Sequence, residues 1–364
     1  MIRFMTPDLP RPSGGTSVIY SLVRHLVDLG HDARVWHGTP GLHYPDHDAV
    51  PVDTGLHLPF AAGDLLVMPE TGGGRWSFLN GPAPVVMLCQ GMDFVFADAS
   101  YTAEVPGAYP GWPQAVAAVA VSEAIATFLE RACAPGFPVH HVPVEISPLF
   151  RPREKERRVA FMPRRRHADL IGAVQLMRRS GRMNGWELSV VDGMTRSEVA
   201  DELGRCAIFL FGAEREGFGL PGAEAMAAGC HVVGFTGDGA KEYLLPDSCD
   251  VVPDSDVVAM ADLALAAMER FDTDRAGFDA RVERGRARVA ERYNAERVRA
   301  ALAAAFDPLT APGSPALLPE PMTLTHYQAH APRWGQAGAA YRGARHATRL
   351  LLDRAATART RRRS

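Results

Sequence analysis

Two rounds of strand-like and helix-like patterning, separated by a polar segment, restrict the fold of this chain more than any other feature. Short apolar runs at 2–6, 33–37, 64–68, 84–89 and 139–143 read as strands. They interleave with helical patterns, of which Val18, Ile19, Leu22, Val23, Leu26 and Val27, ending at Gly30, is the clearest. Alternation of this kind predicts a parallel sheet covered by helices. After the polar stretch Arg151-Pro152-Arg153-Glu154-Lys155-Glu156-Arg157-Arg158 it begins again, with strands predicted near 158–162, 186–191, 206–211 and 230–234. The expected fold class is α/β: two Rossmann-like parallel-sheet domains, 1–150 and 151–306, facing a central cleft where the loops after the strands gather. Residues 307–364 are predicted to hold a proline-rich crossover (Pro308, Pro312, Pro315, Pro319, Pro321), a helix over 338–358 and a disordered basic tail.

Length agrees with this division, since 364 residues suggest about two domains. A formal charge of -3 argues against general nucleic-acid binding. The five cysteines (89, 133, 206, 230, 249) show no Cys-x2-Cys spacing and read as reduced residues of a cytoplasmic protein. The N-terminus lacks a signal-peptide core, and no apolar run reaches the ~18 residues of a membrane span.

The chemistry concentrates in Glu216-Gly217-Phe218-Gly219-Leu220-Pro221-Gly222-Ala223-Glu224, which sets two carboxylates eight positions apart across a glycine-rich loop and a helix start. Glycines let backbone approach a ligand closely, and Pro221 suits the first turn of a helix. A helix N-terminus offers free N–H groups and the positive end of its dipole to a phosphate. Carboxylates beside such a site would repel phosphate, so they are expected to accept hydrogen bonds from hydroxyls of the same ligand, a sugar or ribose.

These residues resemble the Glu-x7-Glu signature of the retaining GT-B glycosyltransferases, family 4 in particular, and Ala225-Met226-Ala227-Ala228-Gly229 continues the pattern. Gly14-Gly15, Val121-Ser122-Glu123, Val142-Pro143-Val144 leading to Phe150, and Glu242 extend the likeness over roughly residues 1 to 270. The resemblance implies a GT-B architecture and transfer of a sugar from a nucleotide diphosphate donor to a carbohydrate or lipid-linked acceptor, in cell-surface polysaccharide or glycan biosynthesis. It further implies that Glu224 binds the donor ribose and Glu216 the transferred sugar, with the amides of Phe218, Gly219 and Leu220 near the phosphates. Glu242 would cap or contact the donor. Where such proteins often carry a histidine touching the donor sugar, this chain reads Gln90-Gly91-Met92-Asp93, so Asp93 is the expected substitute.

A departing diphosphate needs cations prepared for it, and Arg164, Arg165 and Arg166 follow a predicted strand end. Three consecutive side chains cannot all face one site, so at least one belongs to solvent; Arg164 and Arg166 are the candidates for phosphate. The lysine that usually follows in the resembled family is missing, since lysine occurs only at 155 and 241. Gly14-Gly15 could bring backbone amides to a phosphate or sugar, although a plain turn has the same appearance.

No metal and no other cofactor is expected. Of the two Asp-x-Asp triplets, Asp46-His47-Asp48 lies in a polar loop, and Asp254 or Ser255 reads as a helix N-cap. The aromatics Trp76, Phe78, Phe94, Phe96, Tyr101, Tyr109 and Trp112 suit either acceptor stacking or packing. In the tail, Arg342, Arg345 and Arg349 beside Leu350–Leu352 suit a peripheral contact with anionic membrane or a solvated helix face. Two other readings stay open: a catalytically silent nucleotide-sugar-binding scaffold, and an epimerase or phosphorylase on the same fold.

Overall fold

The structure, a computed structural model, describes residues 1–311 apart from 48, 56–60, 62, 71–83, 98, 100, 103–104, 106 and 113–114. Trp76, Phe78, Asp48, the proline-rich segment from Pro312 and the basic tail lie outside the described residues.

The first sheet has seven parallel strands: β1 (Ile2–Met5), β2 (Ala33–His37), β3 (Val52–Thr54), β4 (Leu65–Pro69), β5 (Val85–Cys89), β6 (Ala115–Ala120) and β7 (Val139–His141), in the order β3-β2-β1-β4-β5-β6-β7. Every residue of β4 and β5 is buried, the mark of strands covered on both faces. Helix α1 (Gly14–Asp28) begins where Ser13 Oγ accepts the Thr16 amide, and it stops at Gly30, which takes φ +92°. Ser122 caps α2 (Glu123–Ala132) in the same way.

The second sheet has five parallel strands: β8 (Glu156–Phe161), β9 (Glu187–Val190), β10 (Cys206–Gly212), β11 (His231–Phe235) and β12 (Asp250–Val251), in the order β12-β11-β10-β8-β9. Around it lie α3 (His167–Arg179), α4 (Arg196–Arg205), α5 (Leu220–Ala227), α6 (Val257–Thr273) and α7 (Arg275–Arg292). The cysteines are free, and all but Cys133 are buried. Among the described residues, no helix is long and apolar enough to cross a membrane.

Strands β3, β6 and β12 were not expected. The return to the first sheet also comes earlier than Pro308: Asn294 caps α8 (Ala295–Thr310), whose Phe306 meets Phe4 with ring centroids 5.9 Å apart. Pro308 lies inside this helix, because the buried face Val298, Leu302, Ala305 and Phe306 carries it through the proline. The cap before α6 is Asp256, whose Oδ1 accepts the Ala259 amide at 2.9 Å, and neither Asp254 nor Ser255 fills that place.

Lys155 ties the second half together. Its ammonium donates to the carbonyls of Leu203 (3.0 Å), Cys206 (2.9 Å) and Ala228 (2.7 Å), joining the end of α4, the start of β10 and the end of α5. All three donors are thereby used. Lys155→Met leaves these carbonyls without their donor and is expected to destabilise the protein by roughly 2–4 kcal/mol. A urea-unfolding midpoint equal to wild type would show that the three bonds contribute nothing.

Candidate active site

In each sheet the chain winds outward in one direction and then in the other, which creates a crevice where the order reverses, between β1 and β4 and between β8 and β10. Open parallel sheets bind ligands beyond the carboxyl ends of their strands at such points. The loop after β1 leads to Gly14-Gly15, that after β8 carries Arg164–Arg166, and that after β10 carries Glu216–Gly219. The expected site residues therefore gather at both reversals.

Two helix starts converge there. Gly14 opens α1 and Leu220 opens α5, and a Cβ on Gly14 would lie 3.2 Å from Leu220 Cδ1. The amides of Gly14, Gly15 and Leu220 have no acceptor among the described residues, as the geometry of helix N-termini dictates, and those of Phe218 and Gly219 in the loop before α5 have none either. Gly219 takes φ +87°, and Tyr243 Oη donates to its carbonyl at 2.5 Å. The Phe218 side chain is buried against Tyr243 and Tyr293, so only its backbone is offered to a ligand. A cavity of about 170 Å³ adjoins Gly14 and Leu220, with Arg24, His47, Glu145 and Arg196 in its wall.

Glu216 bridges the second crevice, with its Oε1 3.0 Å from Arg165 Nε. Burial pushes its carboxyl up, while Arg165 and Arg164 pull it down. Arg166 is differently engaged: its guanidinium donates to Asp254 and Ser255 at 2.7 Å and to Asp169 at 3.3 Å, and it lies over the Phe235 ring. The cation meeting Glu216 is thus Arg165, with Arg164 exposed beside it, and Arg166 locks the start of α3.

Glu224 lies one turn into α5 with only 13% of its side chain exposed. Burial drives its carboxyl up to about 7, opposed by Arg196, whose Nη2 is 3.6 Å from Oε1. Sequence reasoning overlooked Arg196. A signal existed, because this arginine opens α4 directly after the Thr195 cap, where a cation opposes the helix dipole.

Asp93 is exposed and lies 3.5 Å from Arg215, so it faces that arginine across the cleft. Both oxygens of Glu242 are taken by protein: Oε2 accepts the Glu123 amide and Oε1 the Tyr293 hydroxyl, each at 2.8 Å. Glu242 therefore caps a helix, that of the opposite half. Gln90 reaches both loops, since its Nε2 donates to the Gly15 carbonyl at 3.2 Å and its own carbonyl abuts Gly217. Of the candidate aromatics, Tyr109 and Trp112 are core residues, whereas Phe94, Phe96 and Tyr101 are exposed. Among the described residues, no three His, Cys, Asp or Glu side chains cluster as metal ligands.

The paired parallel sheets define a GT-B fold, with helix starts and carboxylates turned toward one cleft. Residues 165–270, which include Glu216, Glu224 and Glu242, match the family described as glycosyl transferases group 1. An alpha-1,6-glucosyltransferase of Actinobacillus pleuropneumoniae serotype 7 is 31% identical over 163 residues, an alignment covering 43% of this chain and 49% of that protein. The chain thus spans about half the length of the curated relative it matches. Among solved structures, sucrose-phosphate synthase from Thermosynechococcus elongatus superposes with a TM-score of 0.63 at 14% identity, covering 85% of this chain and 99% of that one. Anabaena HepE in complex with UDP-glucose gives 0.61 at 14% identity, covering 84% and 99%. At such identities the likeness is one of fold.

Proposed function

We propose that this chain is a family 4 glycosyltransferase that moves a sugar from a nucleotide diphosphate donor to a carbohydrate or lipid-linked acceptor, with retention and without a metal ion, in glycan or polysaccharide biosynthesis. Residues 1–150 serve the acceptor and 151–306 the donor. The observation that carries this reading is the convergence of two helix starts with unpaired amides beside two partly buried carboxylates. Amides and dipoles suit a diphosphate, whereas the carboxylates suit hydroxyls. The names of the relatives support it: one is a glucosyltransferase, and HepE binds UDP-glucose.

In this reading Glu224 accepts from the ribose hydroxyls and Glu216 from those of the transferred sugar. As the acceptor oxygen bonds to the anomeric carbon, the bond to phosphate breaks and its electron pair leaves with the diphosphate. That negative charge is met by Arg164, Arg165 and the two helix starts, and a phosphate oxygen takes the acceptor's proton on the same face. Clamping both substrates removes their translational freedom.

The test is thermal stabilisation by UDP, GDP, dTDP, CMP and NAD with EDTA present, followed by donor turnover. Selective stabilisation by one nucleoside diphosphate, with acceptor-dependent release of that diphosphate, is the expected result. Binding without turnover would make the protein a nucleotide-sugar-binding scaffold, and a preference for NAD would remove the donor-site reading altogether.

A further inference from the structure

Glu70 is the first residue past β4, at the reversal of the first sheet, and only 4% of it is exposed. Its amide continues the ladder by donating to the Leu88 carbonyl at 3.1 Å. Its carboxylate faces the backbone amides of Gln90 and Gly91, which pull its pKa down against burial, and Oε2 is buried without a hydrogen-bond partner. A side chain on Gly91 would stand 3.5 Å from Oε1, so the turn wraps closely over the carboxylate. A glutamine or an apolar residue would fill this place without burying a charge, and among the described residues no cation offsets that cost. What the carboxylate does is hold one turn, and that turn touches both halves of the site: Gln90 bonds Gly15 with its side chain and meets Gly217 with its carbonyl.

We propose that Glu70 is a positioning residue for sugar transfer, whose carboxylate fixes the Gln90–Gly91 turn in the form that closes on Gly15 and Gly217. The proposal rests on the glycosyltransferase reading only for its kinetic consequence; the turn itself can be observed without it. Burial pushes the carboxyl up to about 7 against the pull of the Gln90 and Gly91 amides. The titratable groups facing it among the described residues are Cys89 on β5 and Tyr109, both pushed up by burial and neutral at physiological pH. Above about pH 7 the ionised carboxylate attracts these amides strongly, and below it a proton weakens that attraction.

The experiment compares wild type, Glu70→Gln and Glu70→Ala by hydrogen exchange at the Gln90 and Gly91 amides, corrected for intrinsic rates, and by transfer kinetics across pH. Wild type is expected to lose protection and kcat as pH falls from about 8 to about 6, with donor KM nearly constant. Glu70→Gln keeps an acceptor oxygen and cannot ionise, so at every pH it should match the protonated wild type, with the reduced protection and kcat that wild type reaches near pH 6, and show no acid limb. Glu70→Ala should lose protection and about tenfold or more in kcat. Unchanged amide protection in Glu70→Ala, or an acid limb persisting in Glu70→Gln, would overturn the proposal. Should wild type prove inactive with every donor, the function reading fails and amide exchange alone still decides the role of Glu70.

Discussion

Glu224→Gln is expected to be more stable than wild type at about pH 8 without ligand, and to bind the donor nucleotide far less tightly. The folded-state carboxyl is raised from 4.5 to about 7 by burial, with Arg196 offsetting part of the effect. A carboxyl raised in this way contributes its stability fully below the unfolded value and loses it as pH rises through the folded one. The window is therefore about pH 4.5 to 7, above which ionised Glu224 costs at most roughly 3 kcal/mol, a value that glutamine removes. Arg196, with 43% of its side chain exposed, stays solvated without its partner. Binding moves the other way. Ribose hydroxyls donating to a carboxylate form charge-assisted bonds, and an amide oxygen offers only neutral ones, so affinity should fall by about ten- to a hundredfold. Thermal unfolding near pH 8 and near pH 4.5, with and without the stabilising nucleoside diphosphate, separates the two effects. A variant less stable than wild type at pH 8 would mean that the Arg196 pair outweighs burial, and undiminished affinity would remove Glu224 from the ribose site.

The two-sheet fold was legible because its central strands are unbroken apolar runs, as in Leu65–Pro69 and Cys206–Gly212. Ala115–Ala120 escaped notice since Ala-Val-Ala-Ala-Val-Ala fits a buried helix as well as a buried strand. Val52–Thr54 and Asp250–Val251 are sheet edges of three and two residues, too short to show a period. In the site, Glu216 and Glu224 were readable because glycines, proline and carboxylates follow one another along a single loop and helix. The choice among three consecutive arginines was not. It depends on φ +48° at Arg166 and on Asp254 and Ser255, nearly 90 residues away in sequence. Glu70 carried no local signal at all, because what distinguishes it is the Gln90–Gly91 turn of the neighbouring strand.

Gly217→Ala is expected to leave each half folded and to stop them from closing on a substrate. A Cβ at this position would lie 1.9 Å from the Gln90 carbonyl oxygen and 2.7 Å from its carbon, and both belong to backbone that cannot rotate aside. Gly217 is not among the residues at positive φ, so alanine meets no conformational strain and the clash across the cleft is the only penalty. Gly239 makes the instructive contrast: its Cβ would lie 1.9 Å from the Gly217 carbonyl oxygen, inside the same half, so alanine there should lower stability itself. With Gly217→Ala the cleft must stay open by an ångström or more, which separates the Gly14-Gly15 amides from those of Gly219 and Leu220. A diphosphate then keeps one helix start and loses the other. Transfer should suffer most, since a displacement of about 1 Å at a reacting centre lowers rates by about a hundredfold, whereas Glu224 and α5 continue to hold the nucleoside. Steady-state kinetics together with the solution radius of gyration in saturating nucleotide decide the matter. A drop in kcat with an unchanged melting temperature and no compaction on binding is the expected result. Wild-type kcat in Gly217→Ala would show that the contact between Gln90 and Gly217 is not needed for transfer, and that the amides of α5 act without those of α1.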